Sequence, residues 1–397
     1  MLAAITAAEN GAAVTLLEKN EKLGKKIYIT GKGRCNVTNA CTPEQFRQKV
    51  VKNPRFLYSA LDAFSPSDMM EKLEKLGCPV KVERGERVFP ASEKASDVTR
   101  ALERELHRLR VEVRLHAEVE KLLTADGAVS GVMLKNGESL PAHRVIVATG
   151  GQSYPTTGST GDGFRWLSAL GHTVFPPLPS LIPLTSDAGW IRALQGLSLK
   201  NVRLTLKSGK KTLFTDIGEM LFTHFGISGP LVLSASAYVT EMSPEDFSLT
   251  LDLKPGLSED QLNQRILRDL DASGKKQLRT LLGGLFPSRL AEEMPALCGF
   301  PPETLACDMT REMRQSLVRL TKELPLPISG TRPLQEAVVT RGGVSVKEMD
   351  PRTMESKLIP GLYVTGELLD VDAMTGGFNL QIAFSTGYLA GQNAAFD

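Results

Sequence analysis

Residues 361–391 read GLYVTGELLDVDAMTGGFNLQIAFSTGYLAG, and this stretch decides the fold. It reads as a buried strand (Leu362, Tyr363, Val364, Thr365), an acidic turn, the pair Gly376–Gly377 and an amphipathic helix. Glycines at such a turn remove side chains where a flat ligand must approach the backbone. The helix that follows offers unpaired N–H groups and the positive end of its dipole to any ligand edge that gains negative charge. An ordinary strand–turn–helix edge of an α/β sheet uses the same elements, so other segments must agree before a ligand is inferred.

The spacing GE-x2-D-x-D-x-x-T-G-G-F-N-L-Q resembles the C-terminal FAD segment of two-domain flavoproteins, in particular the BaiN-like (YhiN-type) FAD/NAD(P)-binding oxidoreductases. The resemblance implies that Gly366, Glu367, Asp372, Gly376, Gly377, Asn379 and Leu380 lie against FAD. Asp372 would hold a ribityl hydroxyl, and the 376–380 backbone would face the N1/O2 edge of the ring. That edge becomes negative on reduction, so a helix N-terminus aimed at it favours the reduced state. Ala373 stands where the family usually has glycine.

At the other end, residues 2–10 carry Ala and Leu at helical spacing, with Gly11 as a stop. Ala13–Leu17 is an apolar strand ending at Glu18. In a dinucleotide-binding βαβ unit the acidic residue at that place hydrogen-bonds the adenosine ribose. The hydrophobic strand and GxGxxG turn that precede such a helix are expected upstream of Met1. The segment KLGKKIYITGKGRCNVTN (22–39) resembles the family loop GKKxxxSGxGRCNxTN. Gly24, Gly31 and Gly33 permit close backbone approach, Lys25, Lys26 and Arg34 supply cations, and Asn36, Thr38 and Asn39 supply neutral partners. A basic surface loop would have the same composition. The resemblance implies that Glu18, Lys19, Lys26, Gly31, Gly33, Arg34, Cys35 and Asn36 bind the cofactor. Lys32 stands where the family loop has a small residue.

Further along, Val145–Ala148 is an apolar strand running into Thr149, Gly150 and Gly151, and its extension GGQSYPTTGSTGDGF matches the same family. Asp162 opens a helix over 164–171, as a plain cap or as a cofactor group. The resemblance also brings Val119 to the adenine through its backbone. From residue 176 the composition shifts to a proline-rich crossover, short alternating strands and then a nearly continuous helical stretch over 258–324. The expected fold is α/β: a discontinuous Rossmann-like FAD-binding domain (1–175 and 341–397), an inserted β-barrel-like domain (176–256 and 325–340) and a helical subdomain (257–324).

A chain of 397 residues with 42% hydrophobic content can bury sizeable cores. Its formal net charge of +2 gives no electrostatic case for nucleic acid, and no apolar run approaches the ~20 residues of a membrane helix. The expected partner is a small-molecule substrate, with no nucleic acid and no membrane, and the expected compartment is the cytoplasm. Five cysteines without a CxxC pair support neither a disulfide framework nor a zinc site.

The resemblance implies an FAD-dependent oxidoreductase, with NAD(P)H as a candidate electron donor. His224 is a candidate for proton transfer. Tyr154 and Arg341 are candidates for holding a polar substrate. Alternatives are a structural FAD in a macromolecule-binding protein, an inactive fragment, and a thiol–disulfide reductase built on Cys35 and Cys41. In the last, the Cys-x5-Cys spacing carries one residue too many.

Overall fold

The computed structural model describes residues 1–272, 274–301 and 303–396. The chain divides into two compact units, Met1–Ser180 with Pro333–Asp397, and Leu181–Arg332. The cuts differ from those expected from composition. Val174–Ser180, read as an extended crossover because of its prolines, is a strand paired antiparallel with Val339–Val344, and both belong to the first unit. Proline lacks the N–H a ladder needs, and the register slips between Phe175 and Leu178, across the proline pair.

The first unit carries the parallel strands. Thr15–Leu17 pairs with Glu112–Arg114, and Val145–Val147 pairs with Leu362–Val364. A meander of Val119–Ala125, Ala128–Leu134 and Ser139–Pro141 flanks them. Its first turn takes positive φ at both Asp126 and Gly127, the primed hairpin geometry. The helix Phe378–Ala394 is the spine of the unit: Phe378 and Ile382 enter one core with Phe46, Leu57, Leu167 and Val364, while Phe384 enters another with Ile5, Val37, Leu73 and Leu102. Gly391 lets the helix Leu2–Glu9 come close, since a β-carbon there would lie 2.3 Å from the Ala3 carbonyl oxygen.

The second unit is a seven-stranded antiparallel sheet whose long members are Ser198–Ser208 and Lys211–Thr223, with Leu324–Pro325 and Gly330–Thr331 at its two ends. The helices Glu259–Asp271, Ser288–Leu297 and Arg311–Lys322 form one unit with this sheet rather than a separate subdomain. The reason lies in the joint: Leu253 donates its N–H to Thr321 O at 2.9 Å, and Lys322 pairs with Asp252 at 2.6 Å.

Candidate functional site

In α/β sheets ligands bind beyond the carboxyl ends of the parallel strands. Three such ends converge in the first unit. Thr15–Leu17 leads into Glu18, Lys19 and Asn20; Val145–Val147 leads into Thr149–Ser153; Leu362–Val364 leads into Gly366 and Glu367. Charged side chains stitch them together. Lys19 Nζ donates to Thr160 Oγ1 at 2.6 Å and to Asp162 Oδ2 at 2.5 Å. Asn20 Nδ2 donates to Glu18 Oε1 at 2.7 Å and to Thr157 O at 3.1 Å. Lys26 Nζ meets Glu367 Oε2 and Ser153 Oγ, each at 2.7 Å. Glu367 Oε1 in turn accepts from Ser153 Oγ (3.0 Å) and from Thr340 N (2.8 Å).

Glycine is required at two places here. A β-carbon on Gly151 would lie 2.3 Å from Thr340 Oγ1, and one on Gly163 would lie 2.4 Å from Thr149 Oγ1. Thr149 Oγ1 and Asn36 Oδ1 are buried without a hydrogen-bond partner among the described residues. Buried polar atoms are nearly always paired, so these two mark places where a polar ligand atom is missing from the account. The helix Phe378–Ala394 starts after Gly377 without a side-chain cap, leaving its first amides available. The orphaned oxygens and the uncapped helix are an acceptor and donor set that fits a dinucleotide, while Lys25, Lys26 and Arg34 of the neighbouring loop are paired with Glu21, Glu367 and Glu83.

Other expected residues are occupied differently. Gly376 and Gly377 are also required by packing: a β-carbon at Gly377 would lie 2.4 Å from Thr38 O, and one at Gly376 would lie 2.8 Å from the Phe378 ring. Asp372 faces inward, taking Arg341 and a 2.6 Å bond from Ser180 Oγ. Asn379 folds back on Ala373, accepting from its N–H at 2.9 Å and donating to its carbonyl at 2.8 Å. Arg34 pairs with Glu83 at 2.5 Å and lies over the Phe89 ring. Gly31 and Gly33 take positive φ in the same loop, Gly366 and Gly150 in theirs. Leu380 is half-buried against the second core, and Val119 opens the meander opposite Leu134.

Cys35 is fully buried, and that burial pushes its thiol up to about 12; Cys41 is likewise raised to about 11. Neither is a thiolate at neutral pH, and both are free, which removes the physical basis of the thiol–disulfide alternative. Tyr154 is half-buried with positive φ. His224 belongs to the second unit, exposed in the turn before Gly226–Ser228 with its ring edge-on to Phe225. Ser153, Thr340 and Ser180 went unnoticed in the sequence. Ser153 does sit inside the family-matching GGQSYP segment, where a lone hydroxyl among glycines was the available signal.

Residues 1–393 match the family described as "HI0933-like protein Rossmann domain". The chain belongs to this family. It is the FAD-binding BaiN/YhiN-type group that the motifs resembled, and membership gives the class, an FAD-dependent oxidoreductase. A relative from Clostridium scindens, a 3-dehydro-bile acid delta(4,6)-reductase, is 34% identical over 100% of this chain and 96% of its own length. A ribosomal RNA dihydrouridine synthase from Haemophilus influenzae is 32% identical over 96% of this chain and 92% of its own. Its Escherichia coli namesake is 30% identical over 99% and 94%. Among solved structures, the 3-ketosteroid delta1-dehydrogenase of Sterolibacterium denitrificans superposes with a TM-score of 0.50 at 14% identity, covering 99% of this chain and 97% of that one. At such identity the likeness speaks for the fold alone.

The expectation that nucleic acid plays no part is overturned by the two relatives named for ribosomal RNA. Net charge is an average over the chain, and phosphate contacts need only a local cluster of cations. Among the described residues no helix is long and apolar enough to cross a membrane, and no His/Cys/Asp/Glu group could hold a metal ion.

Proposed function

We propose that this protein reduces a carbon–carbon double bond conjugated with a carbonyl group, with NAD(P)H as the electron donor. The observation that carries the reading is the bond type shared by two differently named relatives, each aligned along nearly the whole chain. A 3-dehydro-bile acid with delta(4,6) unsaturation presents alkenes conjugated to a ketone. A uridine that becomes dihydrouridine presents a ring alkene conjugated to an amide carbonyl. In both, two electrons and two protons saturate the bond, and the carbonyl oxygen takes up charge as the β-carbon receives hydride.

FAD, when bound, supplies those two electrons as hydride. The chain would hold it through the groups left open around the strand ends: Asn36, Thr149, the amides that open the helix Phe378–Ala394, and the backbone at Gly31, Gly33 and Gly150. Glu18, Lys19, Lys26 and Glu367 would then act mainly through the bonds that fix these loops in place. A site whose parts are tied to one another keeps its geometry when the ligand arrives.

The test is anaerobic. FAD-loaded protein is reduced with NADH or NADPH and mixed in separate reactions with a 4-ene-3-ketosteroid, a 4,6-diene-3-ketosteroid and ribosomal RNA. Flavin reoxidation with a substrate mass gain of two hydrogens in any arm supports the reading, and the responding arm names the substrate class. Flavin that stays reduced in all three overturns it.

A further inference from the structure

Arg341 is a buried charge of the first unit. Its side chain is 7% exposed, and it lies on Val339–Val344, opposite Leu178. Nε donates to Asp372 Oδ1 and Nη2 to Asp372 Oδ2, each at 3.2 Å, in a side-on pair. Ser180 Oγ donates to the same Oδ2 at 2.6 Å, so the carboxylate is fixed from both sides. The pair uses one edge of the guanidinium. The other terminal nitrogen, Nη1, makes no hydrogen bond to any described residue, and it is not among the buried side-chain atoms sealed without a partner. Tying two strands to the 370–374 loop does not explain that free end. The Asp372 pair offsets the cost of burying most of the guanidinium, while Nη1 stays open to solvent, where an incoming oxygen can reach it.

We infer that Arg341 is the group that receives the substrate's carbonyl oxygen, which makes it a catalytic residue of the proposed reduction; the inference rests on that reading. A guanidinium presents N–H donors in a rigid fork suited to an oxygen that gains negative charge. Asp372 and Ser180 hold the fork before the substrate arrives, the arrangement in which such donors are most effective. Arginine stays protonated at working pH, so Arg341 stabilises the enolate oxygen and does not give up a proton. The proton that completes the α-carbon comes from another donor. Asp372 and Ser180 are positioning residues, acting on substrate only through Arg341.

Phenolate is a stable mimic of the enolate, and 4-nitrophenol reports its own ionisation by its visible absorption. FAD-loaded full-length protein is titrated with 4-nitrophenol across pH. The inference expects the bound phenol to ionise about one pH unit or more below the free compound. Arg341→Met should weaken phenolate binding roughly tenfold to a hundredfold, as expected for one lost charge-assisted hydrogen bond, with flavin content unchanged. Arg341→Lys should recover part of the loss. Wild-type protein that shows no preference for phenolate overturns the inference without need of a variant, and so does Arg341→Met protein that binds phenolate as the wild type does. Phenolate preference lost in Arg341→Met, in a protein that reduces no conjugated carbonyl compound, keeps the oxyanion site and removes the reductase reading. An active reductase indifferent to Arg341→Met does the reverse.

Discussion

At Gly377 the backbone φ is +96° and the position of a β-carbon is already taken by Thr38 O, with Thr38 C only 2.5 Å away. A left-handed conformation costs an L-residue about 1–2 kcal/mol, and forcing atoms into filled space about 1–3 more. Gly377→Val should therefore lose about 2–5 kcal/mol of stability in urea denaturation of the flavin-free protein. A variant that unfolds at the wild-type urea concentration would return this glycine to a ligand role. The glycine pair was legible in the sequence, but its reason was not. Thr38 stands at the far end of the chain, and no local spacing announces that its carbonyl will press on this turn. Asp372 has the same history. An acid in a cofactor motif reads as a ligand, and nothing local announces that Arg341 and Ser180 also bind its oxygens.

Short apolar strands and the positions of helices are legible because their signals are local, but Phe378–Ala394, expected to be amphipathic, faces two cores and is buried on both sides. Leu362–Val364, Val145–Val147 and Phe378–Ala394 all lie where periodicity and glycine punctuation put them. Val174–Ser180 was misread because its prolines hide a strand held by the distant Val339–Val344. Asp162 shows what an element end adds. It begins the helix Asp162–Ala169, and although burial works to raise its pKa, Lys19, Thr160 and Arg165 outweigh burial and hold its carboxyl below the usual carboxylate range. A carboxylate depressed in the folded state stabilises above its unfolded pKa, and that contribution fades as pH falls through the folded value. Asp162→Asn should thus be less stable than wild type at pH 5–7, with the gap closing below about pH 4. Urea midpoints measured across that range decide it; a gap that stays constant down to pH 3 would mean the bonds of Asp162 are not electrostatic in origin.

Over the whole molecule, the groups proposed to hold the cofactor lie in Met1–Ser180 and Pro333–Asp397, while Leu181–Arg332 has its own sheet and helices. A ligand stabilises what it binds by mass action, about 2.7 kcal/mol at a hundred times its dissociation constant. Added FAD should move the calorimetric transition of the first unit upward and leave that of the second in place. Hydrogen exchange in the same samples would assign each transition to its unit. Equal protection of Ser198–Thr223 and Phe378–Ala394 by FAD would show that the units do not melt independently.

The insert also begins and ends at one spot: Arg332 donates its N–H to Pro183 O at 3.1 Å, closing residues 181–332 into a loop. Segments whose termini meet are the ones that hosts accept as insertions. Such a segment can be traded for another without disturbing the register of Val174–Ser180 on Val339–Val344. The relatives named for a bile acid and for ribosomal RNA align along 100% and 96% of this chain, so the insert is common to all three, and their different substrates call for substitutions within a shared insert rather than its exchange.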